Sequence, residues 1–176
     1  GVLLSLDGLH PPSMGARVSL GLVARHPERF VSAVLVGVHP GFGPAESTDR
    51  AARLDRERAQ AERIRREGLA AFVEDWERLP LFASQERLPA ARKAAQRRIR
   101  LGHEDQGIAM ALATLGLGSM PDLAPALAQP GPPVRLLTGA LDEKFTRIAA
   151  DLALRHPGRV THRVIAGAGH NLLIEA

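Results

Sequence analysis

The sequence has no cysteine and no tyrosine, only 3% aromatic residues, and no lysine other than Lys93 and Lys144. Without cysteine there is no disulfide framework, no thiolate zinc site and no thiol nucleophile. Scarce aromatics leave few platforms on which nucleic-acid bases could stack, and the arginines alternate with Glu and Asp instead of clustering. The net charge of +4, from 23 basic and 19 acidic residues, therefore does not describe a nucleic-acid-binding stripe. No apolar run approaches the roughly 18 residues of a membrane span, and no signal-peptide pattern opens the chain. Neither nucleic acid nor membrane is expected as a partner, and a cytoplasmic protein is the expectation. An initiator methionine is also missing: the chain begins at Gly1 and stops in mid-pattern at Ala176, which suggests a piece of something longer.

What is present suits one globular domain. The 176 residues are 45% hydrophobic and 24% charged, within the roughly 100–200 residues typical of a domain. Val2–Leu6 is a short apolar run that breaks at Asp7-Gly8. After Pro11-Pro12 and Ser13-Met14-Gly15, residues 16–26 read as a helix with Val18, Leu20, Leu22 and Val23 on an apolar face. Val31–Val38 is dense in valine and leucine and reads as a buried strand. Strand, serine turn, helix and strand make a βαβ unit with a parallel sheet.

The character changes from Glu46 to about Leu127. Residues 49–68 are polar and helical, with Arg53/Glu57, Arg58/Glu62 and Glu62/Arg66 at ion-pair spacing. Leu69–Trp76 adds an apolar helical turn, and Leu88–Leu101 a basic helix. After Pro130-Gly131-Pro132-Pro133 the α/β grammar returns: a strand at Val134–Thr138, a helix at Phe145–His156, a strand at Val160–Ile165, then a glycine-rich loop at 167–171. The expected organisation is an α/β core from 1–43 and 129–176, with an all-helical cap inserted over 44–128.

Three polar residues stand at or just after the C-terminal ends of parallel-sheet elements, in the order Ser13, Asp142, His170. A hydroxyl, an imidazole to take its proton and a carboxylate to orient the imidazole are the parts of an activated nucleophile or base. Ser–Asp–His is the chain order of α/β-hydrolases, whose serine sits on a tight strand-to-helix turn between small residues. Each piece alone has a bland reading: Ser13 and Asp142 as helix caps, His170 as a satisfied loop histidine. The order, the βα grammar and the helical insertion together predict the α/β-hydrolase fold.

The chain also resembles a narrower family, the synthases of menaquinone biosynthesis that make 2-succinyl-6-hydroxy-2,4-cyclohexadiene-1-carboxylate. The resemblance covers residues 13–171. It rests on Ser-Met-Gly-Ala-Arg (13–17), Val-His-Pro-Gly-Phe (38–42), Asp-Arg-Ala-Ala-Arg (49–53) and Asp-Trp-Glu-Arg-Leu-Pro-Leu-Phe (75–82). It continues through residues 100–112, Met-Pro-Asp-Leu (120–123), Leu-Asp-Glu-Lys-Phe (141–145) and Ala-Gly-His-Asn (168–171). It implies a carbon–oxygen lyase whose triad of Ser13, Asp142 and His170 removes a substrate proton so that pyruvate is eliminated; no cofactor is expected. The polycarboxylate substrate implied is 2-succinyl-5-enolpyruvyl-6-hydroxy-3-cyclohexene-1-carboxylate. Substrate contacts would come from the Met14 N–H, Arg17, Arg53, Trp76, Arg100 and Phe145. Arginine's planar fork suits carboxylates, although Arg53 can equally be a solvated face residue and Trp76 a core one. The alternatives are an α/β-hydrolase acting on esters or carbon–carbon bonds, and an inactive remnant.

The N-terminus departs from the family. Pro11 stands where the first glycine of G-x-S-x-G belongs, and Pro12 directly precedes Ser13. Residues 2–9 resemble an earlier strand and oxyanion loop with Asp7 in the histidine place. That favours an internal deletion over an irregular lead-in to the serine turn. A sheet incomplete at its N-terminal side, and impaired activity, are the expectations. The histidines show no metal-ligand spacing, and the oligomeric state is not legible.

Overall fold

The computed structural model describes residues 12–176, with side chains from Met14 onward. In chain order the elements are α1 (Pro12–Arg25), β1 (Ala33–Val36), α2 (Ser47–Glu67), α3 (Leu69–Glu77), a 3-10 segment (Pro80–Arg87), α4 (Ala90–Leu101) and α5 (Asp105–Leu115). They continue with α6 (Ala124–Leu127), β2 (Val134–Gly139), α7 (Glu143–Arg155), β3 (Val160–Ile165) and α8 (Leu172–Glu175). The expected strand at Val2–Leu6 and the expected oxyanion-loop relic lie outside the described residues.

Two compact units emerge, one running to Gly41 and resuming at Asp122–Ala176, the other being Phe42–Pro121. The sequence places these boundaries at 43/44 and 128/129. In the first unit the described strands form a parallel sheet in the order β1-β2-β3. Ala33 pairs with Val134 and Leu35 with Leu136, while Val134 pairs with Val160 and Gly139 with Ile165. Side chains alternate across a strand, so Ala33, Leu35, Val134, Leu136 and Val160 share one face, and all are buried. Helix α1 packs there through Ala16, Leu20 and Val23, and α7 through Ala149 and Leu152. The first stripe follows the i, i+4, i+7 spacing of an amphipathic helix and the second its i, i+3 spacing. The other face carries half-buried Val34, Val36 and Leu137 beside exposed Arg135, Thr161 and Arg163.

The strand expected over 31–38 is shorter, four residues from Ala33 to Val36. Gly37 leaves it with φ +57°, a left-handed backbone that ends a strand and that glycine adopts freely. Helix α1 begins earlier than expected, at Pro12. Proline is favoured in the first turn because the N–H it lacks would have no intrahelical acceptor.

The second unit is helical throughout its described elements. Glu57, Ala61 and Ile64 form the buried stripe of α2, so a carboxylate occupies an inward position of an otherwise apolar register. Of the expected ion pairs on α2, Arg53–Glu57 forms at 2.6 Å. Glu62 pairs instead with Arg65, and Arg66 with Glu67. The segment at 80–87 was not anticipated as helical; Pro80 opens it and Phe82 and Gln85 are its buried residues. No helix among the described residues is long and apolar enough to cross a membrane.

Candidate active site

The sheet's C-terminal edge gathers three strand exits onto one imidazole. From β2 the chain turns through Ala140 and Leu141 to Asp142, the N-cap of α7, whose Oδ1 accepts the Phe145 N–H at 3.3 Å. The other carboxylate oxygen, Oδ2, lies 2.5 Å from His170 Nδ1. A carboxylate only accepts, so the Nδ1–H donates to it, and the imidazole is held with Nε2 at its opposite end. Both residues are buried, Asp142 at 6% and His170 at 1% exposure. In such surroundings the bond is electrostatically stronger than in water.

The other walls of His170 come from the neighbouring elements. The Phe145 ring lies 4.4 Å from the imidazole, centroid to centroid, and the His39 ring is 6.4 Å from Phe145 in an edge-on arrangement. His39 Nδ1 accepts the Gly41 N–H at 3.2 Å, which ties down the loop after β1. Gly37 comes so close that a Cβ there would sit 3.0 Å from His170 Cε1. At Gly139 a Cβ would meet Ala168 O and Gly169 O at 2.2 Å each. Only glycine lets β2 and the histidine loop approach this closely.

The structure thus brings Asp142, His170 and Phe145 into contact. Ser13 is the second residue of α1, and its side chain lies outside the described ones. Met14 and Arg17 are buried on α1 at 7% and 3% exposure, Arg17 one turn beyond Ser13. The remaining expected site residues belong to the helical unit. Arg53 Nε donates to Glu57 Oε1 at 2.6 Å, and Arg100 Nη1 donates to Glu77 Oε1 at 2.8 Å. The Arg100 guanidinium lies 5.7 Å from the Phe82 ring centre. Trp76, half-buried, stands between Phe72 at 5.2 Å and Phe82 at 5.8 Å.

Sequence reasoning missed three residues. Glu57 is 1% exposed and accepts from the N–H groups of Leu117 at 2.9 Å and Gly118 at 3.0 Å as well as from Arg53. Its i, i+4, i+7 relation to Ala61 and Ile64 marks an inward position, while its spacing from Arg53 reads equally as a surface ion pair. Gly37 falls inside the strand expected over 31–38. Glu175, five residues past His170, carries no motif that marks it. Among the described residues no group of three or more His, Asp or Glu could hold a metal ion.

Comparison with known proteins gives the fold a precedent. The chain is 34% identical over 160 residues to a 2-succinyl-6-hydroxy-2,4-cyclohexadiene-1-carboxylate synthase from Serratia proteamaculans, covering 90% of this chain and 58% of that protein. The solved structure of MenH from S. aureus matches with a TM-score of 0.87 at 33% identity, over 93% of this chain and 60% of that one. A thermophilic esterase from Thermogutta terrifontis, solved with malate bound, matches with a TM-score of 0.68 at 24% identity, over 93% of this chain and 57% of that one, and shows the shared fold. No family model matches the chain. The fold is of the α/β-hydrolase type, and the chain spans about 58% of the length of the synthase it matches.

Proposed function

We propose that this chain is a member of the 2-succinyl-6-hydroxy-2,4-cyclohexadiene-1-carboxylate synthase family of menaquinone biosynthesis, and that its chemistry is a base-driven elimination. The observation that carries the reading is the likeness to these synthases over nine-tenths of the chain. The buried His170–Asp142 pair agrees with it. On this reading Asp142 fixes the imidazole so that Nε2 takes the Ser13 hydroxyl proton while the serine oxygen removes a proton from a ring carbon of the substrate. The electrons released form a ring double bond, the carbon–oxygen bond to the enolpyruvyl group breaks, and the enolpyruvate that leaves takes up a proton to become pyruvate. Negative charge develops next to the deprotonated carbon and needs N–H donors. The Met14 N–H suits that role, since first-turn N–H groups of a helix have no intrahelical acceptor. In the first unit Arg17 is the guanidinium assigned to a substrate carboxylate, with Phe145 as an apolar contact.

The test is to supply the purified chain with 2-succinyl-5-enolpyruvyl-6-hydroxy-3-cyclohexene-1-carboxylate and follow pyruvate by lactate dehydrogenase coupling. Pyruvate release that disappears in Ser13→Ala and in His170→Ala supports the reading; no release from the parent chain overturns it. A second reading, ester hydrolysis, draws on the fold shared with the esterase. Arg17→Ala separates the two, because loss of elimination with small neutral esters still cleaved fits the lyase, and equal loss of both contradicts it.

A further inference from the structure

We infer that Glu175 is a positioning residue for the His170 imidazole, holding the backbone on both sides of it with one carboxylate. Gly169 and Asn171, the residues flanking His170, each donate their N–H to Glu175: Gly169 to Oε2 at 2.7 Å and Asn171 to Oε1 at 3.1 Å. The opposite side of the same segment is fixed by β2 and its exit turn. Ala168 O accepts the Leu141 N–H at 2.9 Å, and Ala168 O and Gly169 O press against Gly139 at a distance that leaves no room for a Cβ. The segment is thus gripped by its N–H groups on Glu175 and by its carbonyls on the turn that also carries Asp142.

The side-chain type fits the task. A carboxylate offers two acceptor oxygens and no donor, so it takes two N–H groups at once; an amide offers one acceptor and opposes the second N–H with its own. Bonds from backbone N–H groups to an ionised acceptor are roughly twice as strong as neutral ones. The pair that gains is the 2.5 Å contact between His170 Nδ1 and Asp142 Oδ2, because Asp142 and His170 come from different strand exits and their spacing is set by how those exits are tied. A misplacement of about 1 Å at a reacting group can cost on the order of a hundredfold in rate.

Glu175 also belongs to α8, where its own N–H donates to Asn171 O at 3.1 Å. A purely structural role would be to complete that turn, and the experiment has to separate this from positioning. The inference rests on the reading of His170 as the catalytic base. The full chain is compared with Glu175→Gln, Glu175→Asp and His170→Ala, by turnover of the synthase substrate and by the proton NMR signal of the His170 Nδ1–H.

Glu175→Gln is expected to lower kcat about a hundredfold and to leave KM within about twofold, with the Nδ1–H signal shifted or broadened in a chain that still unfolds cooperatively. Glu175→Asp, which keeps two acceptor oxygens on a shorter stem, is expected to recover part of both. An unchanged Nδ1–H signal, or a kcat loss that only follows the unfolded fraction, overturns the inference. Retained turnover in His170→Ala overturns the catalytic reading instead, and the Nδ1–H signal still decides whether Glu175 positions the ring. Should Glu175→Gln fail to fold, the same two readouts on Glu175→Asp decide.

Discussion

Replacing Asp142 by asparagine separates the two jobs of this carboxylate. Oδ1 caps α7 through the Phe145 N–H at 3.3 Å, and Oδ2 receives the His170 Nδ1–H at 2.5 Å. Asparagine keeps an acceptor for the cap but turns an NH2 toward Nδ1. The imidazole then avoids a donor–donor clash by moving its proton to Nε2, where it can no longer accept a proton. If the pair serves the proposed triad, the wrong tautomer costs about 10⁴ in kcat, or about 5 kcal/mol at about 1.4 kcal/mol per decade. Stability should change far less. A charge-assisted bond worth about 1.5–3 kcal/mol is exchanged for a neutral one worth about 1 kcal/mol, a net loss of about 0.5–2 kcal/mol.

Asp142→Ala makes the informative contrast. It loses the cap, about 1 kcal/mol, and leaves the buried Nδ1–H without its acceptor, a further 1–3 kcal/mol or so. The two variants should therefore be equally inactive and unequally stable. The assay is pyruvate release beside denaturant unfolding, with imidazole nitrogen NMR shifts to identify the tautomer. A drop in kcat of less than about tenfold in Asp142→Asn, with its tautomer unchanged, would refute the argument that this pair prepares a base.

Three further outcomes follow from the same geometry. Glu57→Ala leaves the Leu117 and Gly118 N–H groups and Arg53 without their shared acceptor and should destabilise the chain by about 3–5 kcal/mol in denaturant unfolding; a loss below about 1 kcal/mol would show that water replaces it. Gly37→Ala meets both a backbone at φ +57° and His170 Cε1 at 3.0 Å, so a loss of about 1–2 kcal/mol should come with reduced turnover, read from Tm and kcat. The third concerns pH. Burial holds the His162 pKa below its ordinary 6.5, and the ring's Nε2 lies 2.7 Å from Thr138 Oγ1. The unfolded chain therefore takes up this proton first as pH falls. The His162 contribution is fully present above about pH 6.5 and is lost below it, toward the folded-state value. Tm should be lower at about pH 5.5 than at about pH 7.5, and His162→Gln should flatten that difference; an unchanged slope in the variant would assign it to other groups.

Legibility in the sequence followed the range of the interaction. β3 is observed over Val160–Ile165, the range its β-branched run predicted, and α7 and α2 differ from expectation by a residue or two. Periodicity and punctuation by Gly and Pro act within a few residues, so a one-dimensional reading can see them. The segment at 80–87 was less visible because its turns are 3-10, a helix type without the 3.6-residue stripe.

By itself the sequence determined the parallel α/β grammar, the helical insertion, and the order Ser13, Asp142, His170 that marked two of its members as partners. Only the tertiary structure decided what surrounds that pair. Gly37 against the imidazole and Gly139 against two carbonyls, like Glu57 on the Leu117 and Gly118 N–H groups within the helical unit, depend on where separate segments meet. Such contacts are set by sheet register and loop packing over many residues, and no local pattern encodes them. A charged residue at ion-pair spacing looks the same on paper whether it faces water or, like Glu57, closes on the backbone of a loop sixty residues away.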